Sequence, residues 1–198
     1  MLTYANQLTI LRMVFVPCFV LLLVYGHPAA ATLVFVLAGV SDGLDGLLAR
    51  ALQQKTELGS FLDPVADKLL LTAAFVTLTL PWLPVALHIP AWLTILVISR
   101  DVTIAVSALV IHLKTGHSEF PPSYLGKCTT ALQLLTVGDC LVANSWRNFG
   151  VLLFRPLSYA TLTLTVASGL HYFYRSVKII ESYQTAEGAD GKKRDKDS

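Results

Sequence analysis

The sequence predicts an all-α, polytopic membrane protein: six transmembrane helices with a short N-terminal interfacial helix before them. Three observations carry this. Apolar residues make up 54% of the 198-residue chain, only 14% are charged, and the mean hydropathy is +0.61, a balance that soluble domains do not show. The apolar residues fall into runs of spanning length, separated by loops rich in proline, glycine and lysine. Lysine and arginine are also shared unequally between alternate loops.

Residues 1–12 are weakly amphipathic, Tyr4, Leu8, Ile10 and Leu11 alternating with Asn6, Gln7, Thr9 and Arg12, as in a helix lying on a membrane surface. The first span covers residues 13–25, starts near Thr9 to reach sufficient length, and bends at Pro17. Arg12 before it and Ala29-Ala30-Ala31 after it imitate a signal peptide, but the basic residue lies late and the segment is read as part of the mature protein. The second span covers 30–50. A polar loop, 51–58, leads to the third span, from Gly59 to about Leu80, and Pro81, Pro84 and Pro90 mark the next loop. The fourth span, 91–113, is interrupted by Ser99-Arg100-Asp101. A polar loop over 114–127 precedes the fifth span, 128–143 extended back towards Tyr124. The sixth covers 151–174. Residues 1–183 form one membrane domain, and 184–198 a charged tail expected to be disordered, its Lys192-Lys193-Arg194 suited to anionic lipid.

With the N-terminus inside, the inner segments hold Arg12, Arg50, Lys55, Lys114, Lys127, Arg175, Lys178 and the tail, and the outer segments hold Arg147 and Arg155. The positive-inside rule therefore directs the loop between the second and third spans to the cytoplasm. Cys18, Cys128 and Cys140 fit no zinc or redox spacing and read as small apolar residues. The five histidines show no ligand spacing. There is no phosphate-binding glycine-rich loop, no Ser-His-Asp arrangement and no nucleic-acid-binding patch.

Against this apolar background stands one acidic stretch. Asp42-Gly43-Leu44-Asp45-Gly46-Leu47-Leu48-Ala49-Arg50 is followed, eight residues later, by Gly59-Ser60-Phe61-Leu62-Asp63-Pro64-Val65-Ala66-Asp67. Carboxylates beside hydrocarbon are costly unless paired, and four so close together call for a divalent cation. Asp42 and Asp45 are i,i+3, and Asp63 and Asp67 are i,i+4, so each pair shares a helix face. Two such helices facing each other present four carboxylates to one point, an all-oxygen donor set suited to Mg²⁺ or Mn²⁺ and not to zinc. Asp42 lies 11 residues beyond Ala31, about 16–17 Å along a helix and so in the far half of a hydrocarbon core about 30 Å thick.

The pattern D-x2-D-G-x2-A-R-x8-G-x3-D-x3-D resembles the signature of the CDP-alcohol phosphatidyltransferases, and every fixed position is matched. Three other segments resemble the family: Asn6-Gln7-Leu8-Thr9-Ile10-Leu11-Arg12, Ser99-Arg100-Asp101, and Gly126-Lys127-Cys128-Thr129-Thr130. The resemblance implies transfer of a phosphatidyl group from CDP-diacylglycerol to an alcohol with release of CMP. It implies a homodimer in a cytoplasmic (inner) membrane of bacterial type, its site facing the cytoplasm. It also implies two Mg²⁺ or Mn²⁺ ions held by Asp42, Asp45, Asp63 and Asp67, with Asp67 doubling as the base for the acceptor hydroxyl. Spacing alone does not say which of the four acids is that base.

Gly46, Ala49 and Gly59 remove side chains where CDP-diacylglycerol must approach two helices; small residues also serve plain helix packing in membranes. Arg50 sits two turns beyond Asp42 and can reach a phosphate or the nucleotide, or snorkel to the interface. Arg100, inside a span, is by default functional, although Asp101 could pair with it structurally. Arg100 and Lys127 are assigned to the acceptor phosphate, whereas Lys68 and Arg175 read as interfacial anchors. The Gly-Lys-x-x-Thr segment is similar to that of phosphatidylglycerophosphate synthases, which makes glycerol 3-phosphate the first choice of acceptor. Arg100-Asp101 looks more like the cardiolipin synthases of the same superfamily, whose acceptor is phosphatidylglycerol. Two readings of other kinds compete. Mg²⁺-dependent membrane prenyltransferases also use Asp-rich helices but lack the Ala49-Arg50 and Gly59 spacing. A transporter could bury carboxylates for ion coupling but would not need two acidic pairs near one membrane face.

Overall fold

Proline and glycine punctuate the chain where its helices begin and end. In the computed structural model the backbone is described for residues 4–52, 57–115, 124–146 and 151–194, and the side chains for 13–41, 68–110, 124–146, 152–175, 177 and 178. Among the described residues there are six α-helices and no strand: α1 (Tyr4–Val24), α2 (Pro28–Leu52), α3 (Glu57–Thr79), α4 (Ala91–Thr115), α5 (Tyr124–Ser145) and α6 (Val151–Arg194).

The α1–α2 connection shows how the punctuation works. Gly26 has φ +76°, the left-handed region that other residues enter only with strain. Its N–H bonds the Leu23 carbonyl at 3.0 Å and the His27 N–H bonds that of Leu22 at 2.8 Å, a Schellman closure of α1. Pro28 then opens α2, where a missing N–H costs nothing.

One expectation is corrected. The short interfacial helix expected over residues 1–12 is not a separate element. Helix α1 runs unbroken from Tyr4, because no glycine or proline interrupts residues 4–16, and Pro17 lies inside it without ending it. Helix α6 extends through Arg194. Glu181, Gln184, Ala186, Glu187 and Ala189 favour helix, and extending an existing helix needs no new nucleus.

The chain divides into two compact units. The first comprises Met1–Thr94 and Leu132–Tyr159. Within it α1 packs against both α2 and α3, and Phe19 meets Phe35 with ring centroids 5.9 Å apart. Buried Leu23, Ala38, Ala74, Phe75, Leu78 and Leu141 fill the interior. Side-chain polar groups tie the elements together: Thr32 to Ser145 at 2.8 Å, Thr79 to Thr94 at 2.6 Å. The Asn144 amide accepts from the Leu87 N–H at 2.8 Å and donates to the Leu87 carbonyl at 2.9 Å, so one side chain satisfies both backbone groups of a loop residue.

The second unit comprises Ile95–Ala131 and Ala160–Ser198. Here α5 meets α6 through Thr129, whose hydroxyl bonds its own helix at Leu125 (2.7 Å) and the Leu164 carbonyl (3.3 Å). Among the described residues of α6 in this unit the buried positions are Thr161, Thr165, Ser168 and Tyr172, spaced four, three and four residues apart, whereas Leu170, Phe173 and Val177 are exposed. That inverts the distribution of a water-soluble helix, which buries its leucines and wets its hydroxyls.

Of the described residues, one stretch, Ala91–Val110, is by itself long and apolar enough to cross a membrane; Met13–Val24, Pro28–Ser41 and Lys68–Thr79 are shorter apolar helices. The six helices coincide with the six expected runs, but length and composition mark one of them as a span.

Candidate active site

The acidic motif falls on two helices. Asp42, Asp45, Gly46, Ala49 and Arg50 lie in the C-terminal half of α2, and Gly59, Asp63 and Asp67 in the first half of α3. Their side chains lie outside the described residues, as does the backbone of 53–56 between the helices. The helical backbone itself sets the register. At 100° per residue Asp42 and Asp45 fall on one face about 4.5 Å apart along the axis, and Asp63 and Asp67 on one face about 6 Å apart. Both pairs belong to the first unit. As a donor set, four carboxylates and no nitrogen or sulfur fit a hard divalent cation such as Mg²⁺ or Mn²⁺. No cluster of three metal-ligating side chains occurs among the described residues, which do not include these four.

The expected acceptor residues belong to the second unit. Arg100 is nine residues into α4 and only 7% exposed, and a cation so buried needs partners. Its Nη1 donates to Asp101 Oδ1 at 2.8 Å, its Nη2 donates to Ser168 Oγ at 2.8 Å, and its Cζ lies 5.8 Å from the centre of the Tyr172 ring. Such a cation–π contact contributes up to about 2 kcal/mol when desolvated. Nε is buried and has no partner, and an unsatisfied buried donor costs about 1–3 kcal/mol. Arg100 thus pairs with Asp101 while its Nε stays unsatisfied.

Lys127 is exposed in the first turn of α5. The hydroxyls of its segment bond backward along the helix, Thr129 to Leu125 and Thr130 to Gly126 (3.1 Å). Among the described residues no contact joins Lys127 to Arg100. Sequence reading missed Ser168 and Tyr172. Their signal was the recurrence of hydroxyl-bearing residues at 158, 161, 165, 168 and 172, a spacing of three and four that marks one helix face.

The sequence profile of the CDP-alcohol phosphatidyltransferases matches residues 2–170. A protein of Mycobacterium tuberculosis named a probable phosphatidylglycerophosphate synthase is 35% identical over 186 residues, covering 89% of this chain and 82% of that protein. A Haemophilus influenzae protein named CDP-diacylglycerol–glycerol-3-phosphate 3-phosphatidyltransferase is 36% identical over 170 residues, 83% of this chain and 88% of its own. The human cardiolipin synthase (CMP-forming) is 30% identical over 195 residues, 90% of this chain and 63% of its own. All-helical, with paired carboxylates on consecutive helices and a match over most of its length, the chain belongs to the CDP-alcohol phosphatidyltransferase family. It is therefore a transferase.

Proposed function

We propose that the protein is a polytopic membrane enzyme that transfers the phosphatidyl group of CDP-diacylglycerol to glycerol 3-phosphate, forming phosphatidylglycerophosphate and CMP. The observation that carries the reading is the combination of the complete acidic motif with 35–36% identity, over most of the chain, to proteins named for this reaction. Cardiolipin synthesis from phosphatidylglycerol is the second reading, favoured by the Arg100–Asp101 pair and by the human relative's name.

Six membrane spans accord with the inverted side chains of α6, since an apolar surrounding stabilises exposed leucines and drives hydroxyls inward. About 20 residues of helix cross the hydrocarbon core. Helix α6, with 44 residues, would therefore leave the membrane near Arg175 and Lys178 and carry its charged end into water, where its Lys192-Lys193-Arg194 would meet anionic lipid. The distribution of lysine and arginine directs that end and the α2–α3 loop to the cytoplasm, in a cytoplasmic (inner) membrane of bacterial type. Residues 1–183 are the enzyme's membrane domain, and a homodimer is the assembly the family resemblance implies. In a variant without Cys18, Cys128 and Cys140, single cysteines at Lys55 and Lys114 should react with an impermeant thiol reagent only from the cytoplasmic side, and one at Pro84 only from the other. The reverse labelling would overturn the orientation.

Asp42, Asp45, Asp63 and Asp67 would hold two Mg²⁺ or Mn²⁺ ions. Bound there, the cations neutralise the diphosphate and the departing CMP. Gly46, Ala49 and Gly59 let the nucleotide approach the two helices closely, and Arg50 supplies it a fixed positive charge. Asp67, at the edge of the cluster, takes the proton of the acceptor hydroxyl as that oxygen attacks the phosphatidyl phosphorus. Arg100 and Lys127 bind the acceptor phosphate through charge-assisted hydrogen bonds.

The test is kinetic. Each charge-assisted hydrogen bond contributes on the order of 1.5–3 kcal/mol, so Arg100→Ala and Lys127→Ala should each raise the KM for glycerol 3-phosphate about tenfold or more. The KM for CDP-diacylglycerol should move little. An unchanged acceptor KM in both variants would remove these residues from the acceptor site.

A further inference from the structure

Three contacts on Arg100 go beyond what binding an anion requires. A guanidinium has five N–H donors, and here one on each terminal nitrogen is already committed, Nη1 to Asp101 on its own helix and Nη2 to Ser168 on α6, both at 2.8 Å. Tyr172 lies one turn beyond Ser168 on the same buried face and places its ring 5.8 Å from Cζ. Ser168 is fully buried and Tyr172 nearly so, so neither partner is a mobile surface group. The stem is confined as well: a Cβ added at Gly169 would lie 3.6 Å from Arg100 Cγ, leaving the arginine flush against the α6 backbone. An arginine held at Nη1, at Nη2 and across its face cannot swing. Its Nε–H is buried and has no acceptor.

We propose that Ser168 and Tyr172 are positioning residues for acceptor recognition: they fix the orientation of the Arg100 guanidinium and thereby set the selectivity for a phosphate-bearing alcohol. This rests on the reading of Arg100 as an acceptor-phosphate residue. Preorganisation is the physical gain. A guanidinium already locked loses little further freedom when the phosphate arrives. Ser168 is the more specific of the two, since one hydroxyl oxygen determines where Nη2 points. Tyr172 holds the plane.

The experiment uses the purified full-length enzyme with CDP-diacylglycerol in mixed micelles and glycerol 3-phosphate as the titrated substrate. Ser168→Ala should raise the KM for glycerol 3-phosphate about three- to tenfold, with kcat and the KM for CDP-diacylglycerol within about twofold. Ser168→Thr, which keeps the hydroxyl, should restore the wild-type KM, and Leu170→Ala on the exposed face of the same turn should leave it unchanged. The decisive arm is a double-mutant cycle. If Ser168 acts through Arg100, then Ser168→Ala placed in the Arg100→Ala background raises the KM no further. An acceptor KM unchanged in Ser168→Ala, or raised by the same factor with and without Arg100, would overturn the positioning role while leaving the acceptor-site reading in place. If Arg100→Ala itself leaves the acceptor KM unchanged, the acceptor-site reading fails and the positioning role falls with it.

Discussion

Asp42→Asn or Asp63→Asn should leave the yield of folded protein unchanged and lower its activity by about two orders of magnitude or more. The substitution keeps the shape of the side chain and an oxygen able to coordinate, and it removes one negative charge. That charge matters because a hard cation draws its affinity from anionic oxygens, and the site must hold it against a competing diphosphate. Removing a single preorganised electrostatic group from a water-poor site costs about 10²–10³ in rate, and a lost ligand should cost at least as much. Excess chelator should abolish wild-type activity, with Mg²⁺ or Mn²⁺ restoring it. Full activity in chelator, or wild-type turnover in both variants, would contradict the assignment.

The second large effect is expected at Asp67. Asp67→Asn should lower kcat by about 10²–10⁴, the usual contribution of a positioned base, with little change in either KM. The reasoning is that a carboxylate accepting the acceptor's proton acts only once the hydroxyl begins to attack, so its loss removes transition-state stabilisation and not binding. Asp67 is also proposed as one of the metal-holding carboxylates, and the kinetic split distinguishes the two proposed duties. A raised KM for CDP-diacylglycerol with kcat preserved would make Asp67 a ligand alone.

Helix placement was readable from the sequence because the signals are local. The loops at Pro81–Pro90 and 114–127 stand out by composition, and the fifth span, drawn back to Tyr124, begins where α5 begins. One boundary was misjudged where continuity outweighed composition: residues 4–12 join α1. The acidic motif was legible as a pattern because one helical turn separates the acids within each pair, and both pairs do lie on helices, α2 and α3. Arg100 was legible as an anomaly, a charge inside an apolar run, but its hold was not. Ser168 is 68 residues away, and only the packing of α6 against α4 brings its hydroxyl to Nη2. Asp139 shows the same boundary from the other side. It stands in the apolar run of the fifth span with no role that spacing suggests, and the structure adds that its Oδ2 is buried without a hydrogen-bond partner.

The central claim is the identity of the reaction, and product analysis tests it most directly. Purified enzyme supplied with CDP-diacylglycerol, Mg²⁺ and labelled glycerol 3-phosphate should release CMP and form phosphatidylglycerophosphate in equal amounts. Release of pyrophosphate, or cardiolipin made from phosphatidylglycerol while glycerol 3-phosphate goes unused, would contradict it.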